Sequence, residues 1–344
     1  MMHSYRTYLF IFINMLVLLL LTNCTATEPF TPIQVQLDSS NQNISTLKQV
    51  SDYPLYELHF IGDYGFKEYI QTGIQSTSQR VIPRASAYAC ACFAASGDEE
   101  HVIFGRNFDW YEHPALILFT DSADGYASVS MVDLYYVGYD ENYNPLDHPE
   151  ELSEAPYLPA DGMNEHGLAV GMMAVPHAEG GDDPQKVTLG SLEMIRLMMD
   201  YAGDVEEAWE LIQDYNVDFG SVPVHYLIAD ATGNSTVIEY LEGKPVRMDG
   251  GRTWQVATNF LISFEKPQGA DSSCWRYNHL YSALMTRNGA LDESDGMQLL
   301  QDVSQPGDET STCWSIIYDL TNKKISLAMG REYNMLYEYS LGKY

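Results

Sequence analysis

From residue 89 onward the hydrophobic period changes from strand-like to helical and back, and this order limits the fold more than any other feature. Ala89–Ala95 and 101–108 read as two short strands joined by a turn at Ser96-Gly97-Asp98-Glu99, and 115–119, 127–137 and 167–175 continue the strand pattern. Residues 189–202 and 204–215 then carry helical spacing, broken at Gly203, with Asp204 placed as an N-cap. Strand signals return at 224–229 and 235–241 around Asp230-Ala231-Thr232-Gly233-Asn234, and again at 254–258. Helical spacing at 275–285 and 295–303 precedes a closing hairpin, 312–320 and 325–329, over Thr321-Asn322-Lys323-Lys324. No internal repeat is evident. The pattern predicts sheets covered by helices within one domain.

The first 24 residues are read as an export signal rather than as fold. Arg6 supplies a weak positive start, and 8–21 is an apolar run interrupted by one Asn. Such a run suits a signal segment and is short for a membrane span of about 20 residues. It ends Leu20-Leu21-Thr22-Asn23-Cys24, similar to a bacterial lipobox but with Asn where a small residue is usual. Lipidation at Cys24, plain secretion and an uncleaved anchor stay open, and all three export the chain. Residues 25–48 are rich in Thr, Ser, Gln and Asn and read as a tether. The segment 53–74, with Tyr53, Leu55, Tyr56, Leu58, Phe60 and Phe66, is too apolar for a linker and is expected to pack on the body formed by 90–344.

With 48 acidic residues against 18 basic ones the formal charge is −30. A surface so negative repels nucleic acid and anionic lipid head groups, so membrane contact is expected only through the N-terminal signal or lipid. Of the five cysteines, Cys24 is the lipid candidate, and the pairing of Cys92, Cys274 and Cys313 cannot be read from their number. Cys90 and Cys92 lack the two-to-four-residue gap of a metal site, and no His-Glu-x-x-His occurs. No metal and no cofactor are expected.

The chemistry concentrates around Cys90. A cysteine at a strand start, a hairpin, and then Gly105-Arg106-Asn107-Phe108-Asp109 place Cys90 beside Arg106 and Asp109 on adjacent strands. A thiolate is the nucleophile and nearby positive charge favours it. A carboxylate beside a free α-amine can orient that amine.

These residues resemble the choloylglycine hydrolase and penicillin V acylase family of N-terminal-nucleophile hydrolases. In that family the catalytic cysteine precedes the arginine of Gly-Arg-Asn-x-Asp by sixteen positions, and here 106 − 90 = 16 whereas 106 − 92 = 14. The spacing selects Cys90. Gly162-Met163-Asn164-Glu165-His166-Gly167-Leu168 is similar to the family's Met-Asn-Glu-x-Gly-Leu segment, Ala257-Thr258-Asn259 to its Thr-Asn, and Ser272-Ser273-Cys274-Trp275-Arg276 to its Ser-x-x-Arg. The last two lie only 276 − 259 = 17 residues apart, without the long loop of bile salt hydrolases. That favours the branch of isopenicillin N acyltransferase and the acid-ceramidase-like amidases.

The resemblance implies an α+β fold, a four-layer αββα sandwich of two antiparallel sheets between helices. It implies self-cleavage between Ala89 and Cys90, leaving 25–89 removed or kept as a small subunit of an α/β heterodimer, with homo-oligomers also open. It further implies hydrolysis of a small-molecule N-acyl amide through an acyl-enzyme on Cys90, whose new α-amine acts as its base. Asp109 would bind that amine, Arg106 and Arg276 would steady charge, and Asn259 with a backbone N–H near Met173 would hold the oxyanion. Acyl transfer to an amine is the alternative within enzymes, and a ligand-binding envelope lipoprotein is the alternative outside them. This mechanism needs no imidazole, so His166, His225 and His279 are read as structural or exposed. Trp110 and Tyr111 fit either an acyl pocket or packing.

Overall fold

The structure, a computed structural model, describes residues 34–35, 44–73, 89–98, 100–139, 144–307 and 310–342. The export segment and Cys24 lie outside them. Ahead of Cys90 come β1 (Gln34–Val35), β2 (Ile44–Ser51), β3 (Leu55–Ile61) and helix α1 (Phe66–Thr72). The body begins with β4 (Ala89–Ala95), β5 (Ile103–Trp110), β6 (Ala115–Asp121), β7 (Ser128–Asp133), β8 (Asp161–Asn164), β9 (Ala169–Ala174) and β10 (Val187–Gly190). Helices α2 (Ser191–Tyr201) and α3 (Val205–Ile212) lead to β11 (Tyr215–Asp218), β12 (Val224–Ala229), β13 (Ser235–Leu241), β14 (Lys244–Asp249) and β15 (Trp254–Ala257). After α4 (Ile262–Glu265), α5 (Trp275–Arg287) and α6 (Glu293–Asp302), the chain closes with β16 (Ser311–Asp319), β17 (Lys324–Met329) and β18 (Tyr337–Ser340).

The strands form a ten-stranded sheet, β1-β2-β3-β6-β7-β8-β9-β12-β13-β14, a six-stranded sheet, β15-β4-β5-β16-β17-β18, and the small pair β10-β11. Period-two alternation decides which face of the smaller sheet meets what. Cys90, Cys92 and Ala94 of β4 share a core with Phe104 and Phe108 of β5 and with Ala169, Met173 and Leu227 of the larger sheet. Ala91, Phe93 and Ala95 point the other way, onto Leu280 and Leu284 of α5 and Leu300 of α6. Helix α2 packs on β8 and β9, with Asp204 capping α3 through the Glu207 N–H at 2.9 Å. The layers run helix, sheet, sheet, helix, and the α+β sandwich expected from sequence is present.

Several segments depart from the sequence reading, two of them in or next to the sheets that carry the site. Residues 44–48, assigned to the tether, belong to β2, where Leu47 is fully buried. The strand expected over 127–137 ends at Asp133, whose carboxylate accepts the Tyr135 N–H at 2.9 Å and caps a 3₁₀ turn, Leu134–Val137.

The apolar segment before Cys90 does pack on the body, as two added strands. β3 pairs with β6 in parallel, Leu55 opposite Ala115 through Ile61 opposite Asp121, whereas the other neighbours in both large sheets are antiparallel. Leu55, Leu58 and Phe60 are buried, each contributing about 1.5–3 kcal/mol by area. Beyond β3, Tyr64, Phe66 and Tyr69 pack against Tyr157, and the Tyr64 hydroxyl donates to Asp200 at 2.5 Å.

Candidate active site

Cys90 occupies the second position of β4, opposite Phe108, while Cys92 stands opposite Arg106. Arg106 is therefore diagonal to Cys90 on the same face, and its Nη2 lies 3.8 Å from the Cys90 sulfur. The guanidinium is wholly buried. Its Nη1 donates to the Ala160 carbonyl and lies 3.2 Å from Asp161, whose carboxylate also accepts Tyr318 Oη at 2.6 Å and Trp314 Nε1 at 3.2 Å. Gly105 has to be glycine here: an added Cβ would sit 2.4 Å from the Phe93 ring. A Cβ on Gly171 of β9 would come within 3.3 Å of both Arg106 Cδ and Cys92 Sγ, so the larger sheet closes directly over this face.

Asp109, three residues after Arg106, faces the opposite side of β5. Its carboxylate accepts Arg276 Nη1 at 2.5 Å, Thr312 Oγ1 at 2.6 Å and Gln305 Nε2 at 3.3 Å. The two arginines thus have separate acids, Asp161 for Arg106 and Asp109 for Arg276. Arg276 lies in the first turn of α5, and its Nη2 donates to the Cys90 carbonyl at 3.0 Å and to Asn259 Oδ1 at 2.8 Å. Asn259 follows β15, the edge strand beside β4. Its Oδ1 accepts the Cys90 backbone N–H at 2.7 Å, and its Nδ2 donates to the Ala174 carbonyl at 2.8 Å.

The five side chains singled out from sequence, those of Cys90, Arg106, Asp109, Asn259 and Arg276, therefore converge on one strand end. Two details differ from expectation. The Cys90 nitrogen is met by Asn259, and Asp109 reaches it only through Arg276. Met173 also points its N–H elsewhere. The Val175 N–H donates to Pro223 at 2.9 Å, and alternation along the antiparallel ladder gives Met173 the paired position with His225. Ala174, opposite Val224, turns its N–H and its carbonyl toward Asn259 instead. The Met-Asn-Glu segment has a structural task. Asn164 Nδ2 binds the Met199 and Ala202 carbonyls at the end of α2, and its Oδ1 accepts the His166 and Leu168 N–H groups.

Electrostatics follow from burial. Burial pushes the Cys90 thiol above its ordinary value, Arg106 pulls it back, and the Asp109 charge opposes that pull. Burial raises Cys92 much further, although Arg106 acts on it too. Asp109 and Asp161 are both pushed up by burial against the attraction of their arginines. Cys90, Cys92, Cys274 and Cys313 all carry free thiols. Trp110 is core, buried against Tyr135 and Tyr136 with ring centroids 5.6 and 5.5 Å away, while Tyr111 is exposed. His101, Glu293 and Asp319 bring ligand-type atoms within 4.8 Å of one another at the opposite end of β5. Asp319 there already accepts the Thr321 and Asn322 N–H groups, so the cluster reads as a hydrogen-bonded corner.

Sequence reasoning missed Asp161, Thr312 and Gln305, and it placed the oxyanion N–H near Met173 without separating Met173 from Ala174. The first three are second partners whose meeting with an arginine or a carboxylate only the folded sheet creates. Ala174 could have been chosen over Met173 only with the register of β9 in hand.

A sandwich of two sheets between helices is the fold of the N-terminal-nucleophile hydrolases, and solved structures share it. A cysteine-to-alanine variant of conjugated bile acid hydrolase from Clostridium perfringens is 16% identical, with a TM-score of 0.57 over 73% of this chain and 92% of the other. An arginine-to-leucine variant of the same enzyme gives 16% and 0.56 over the same shares. Penicillin V acylase from Agrobacterium tumefaciens is 18% identical, with a TM-score of 0.52 over 70% and 83%. The sequence profile of the linear amide C-N hydrolases, choloylglycine hydrolase family, matches residues 90–259. Over those residues the chain matches that family, and it is a linear amide C-N hydrolase. No curated protein matches it in sequence.

Proposed function

We propose that the chain cuts itself between Ala89 and Cys90 and then hydrolyses a small-molecule N-acyl amide through a thioester on Cys90. The observation that carries this reading is the environment of the Cys90 backbone: its nitrogen on Asn259 Oδ1, its carbonyl on Arg276, its sulfur under Arg106. A strand residue gripped at nitrogen, carbonyl and side chain together is arranged for chemistry at its own peptide bond. Two further facts support it. The family profile begins its match at Cys90 and ends at Asn259. The two Clostridium perfringens variants alter a cysteine at position 2 and an arginine at position 18, which repeats the separation of Cys90 and Arg106.

In the first step the Cys90 sulfur adds to the Ala89 carbonyl, the C–N bond breaks, and the proton leaves the thiol for the departing nitrogen. Water then splits the thioester and frees Ala89 as a carboxylate. The new α-amine, with an ordinary value of about 7.7–8.0, is neutral often enough near pH 8 to take the proton from its own thiol. Arg106 favours the resulting thiolate, and Asn259 keeps the amine in place. The tetrahedral oxyanion is held by the second Nδ2 hydrogen of Asn259 and the Ala174 N–H. Loss of one such donor typically costs about 3–4 kcal/mol in the barrier. Arg276, held by Asp109, fixes Cys90 and Asn259 relative to each other.

β2 and β3 remain hydrogen-bonded into the larger sheet, so the fragment before Cys90 is retained as a small subunit. Export through the N-terminal signal, with lipidation of Cys24, belongs to the same proposal. N-terminal sequencing and intact mass test it. A mature chain starting at Cys90 is expected, with cleavage abolished in Cys90→Ala and preserved in Cys92→Ala. An active protein still continuous through Ala89-Cys90 overturns the reading.

A further inference from the structure

His225 has no place in the chemistry above, yet its imidazole is wholly buried in β12 with a single hydrogen bond. Nε2 lies 2.7 Å from the carbonyl of Thr258, the residue before Asn259. A carbonyl only accepts, so Nε2 carries the hydrogen. Nδ1 has no hydrogen-bond partner and faces Glu239 Oε1 at 3.7 Å. Glu239, equally buried on the neighbouring strand β13, accepts the Ile262 N–H at 2.6 Å and the Ser263 N–H at 3.2 Å. The pair therefore grips the segment carrying Asn259 on both sides, at 258 and at 262–263. The backbone of His225 also pairs with Met173, one residue from Ala174.

We infer that His225, backed by Glu239, is a positioning residue that locks Asn259 and Ala174 into one rigid oxyanion-binding unit. The inference rests on the assignment of Cys90 as nucleophile and deepens it. Asn259 sits on a short loop between β15 and α4, past the last ladder pair of β15, and its carboxamide has to hold a donor within a fraction of an ångström of a developing charge. Thr258, itself fully buried, has its carbonyl fixed by the imidazole, which leaves the Asn259 backbone little room to turn. Glu239 anchors the far side of the same loop, and the β9–β12 ladder ties both to the strand that presents Ala174. Without the imidazole the loop keeps its apolar packing through Phe260 and Leu261 but loses the bond nearest Asn259.

The test uses full-length protein with purified His225→Leu, His225→Gln and Glu239→Gln variants. Self-cleavage is followed by intact mass and turnover by release of 4-nitroaniline from a set of N-acyl 4-nitroanilides. Leucine keeps bulk without the donor, and a glutamine Nε2 can reach the Thr258 carbonyl. The expected result is a kcat about 100-fold lower in His225→Leu with KM within about threefold, slowed self-cleavage, and recovery to within tenfold of wild type in His225→Gln. Glu239→Gln should fall between them. Wild-type kcat in His225→Leu overturns the inference, and so does an equal loss in the leucine and glutamine variants. Should His225→Leu fail to fold, the comparison of His225→Gln with Glu239→Gln decides: the inference falls if both match wild type, or if both lose activity together with thermal stability. Turnover that survives Cys90→Ala would instead sink the assignment of the nucleophile, whatever the His225 variants do.

Discussion

The residue that most changes the picture of the site is Asp161. It sits in the core between the sheets and faces Arg106 at 3.2 Å, with Tyr318 and Trp314 taking up its remaining acceptor capacity. Removing one partner of such a pair leaves a buried charge uncompensated, at a cost of about 3–5 kcal/mol. Asp161→Asn, measured by urea unfolding in the uncut Cys90→Ala background, should lose about 3 kcal/mol. Adding Arg106→Leu should recover part of that loss, because the stranded guanidinium is then gone. A loss under about 0.5 kcal/mol in the single variant would mean that Arg106 does not depend on Asp161. Nothing in the sequence marked this acid, which looks like one loop carboxylate among many. A buried charge pair becomes visible only when two strands 161 − 106 = 55 residues apart are brought face to face.

At the scale of elements, the added strands β2 and β3 offer a test by pH. Burial pushes the Glu57 carboxyl up, but hydrogen bonds from His59 and Lys48 outweigh it, and the folded value lies below the ordinary one. The folded chain then binds fewer protons at Glu57 than the unfolded chain. Its stabilisation is complete above pH about 4.5 and is lost as the pH falls through the lower folded value. Glu57→Gln should therefore destabilise the protein at pH 7, and its deficit against wild type should shrink below pH 4.5. Denaturant midpoints at pH 7, 5 and 3.5 measure this, and a constant deficit would refute it. Elements buried on both faces were legible from sequence. β4 and the β12–β13 pair fall where short, mostly apolar runs bounded by turn residues put them, because both of their faces meet a packed layer. β2 was not legible, since Ser45, Thr46, Lys48 and Gln49 read as tether and Leu47 alone betrays the sheet. β14 was missed for the same reason: Lys244–Asp249 is an edge strand with no fully buried residue. Of the site, the chemically distinctive residues could be read, and the groups that orient them could not.

For the whole molecule, the ten-stranded sheet is continuous across the proposed cut. The fragment before Cys90 is held by the β3–β6 ladder and by Leu55, Leu58 and Phe60 far more than by surface charge. After self-cleavage both pieces should run together on gel filtration in 1 M salt and separate only in urea, since salt screens ion pairs but leaves apolar burial intact. Separation in salt alone would show that the small fragment is not integral. The parallel pairing of β3 with β6 has one more result. In the uncut chain the two strands are joined by a stretch of 115 − 55 = 60 residues, so they find each other by closing a loop. After the cut they are separate molecules, and the same pairing becomes an encounter whose frequency falls with dilution. A precursor that unfolds can return at any concentration. A mature enzyme that unfolds in a dilute compartment loses its other half to diffusion, and its lifetime is then set by how slowly it opens.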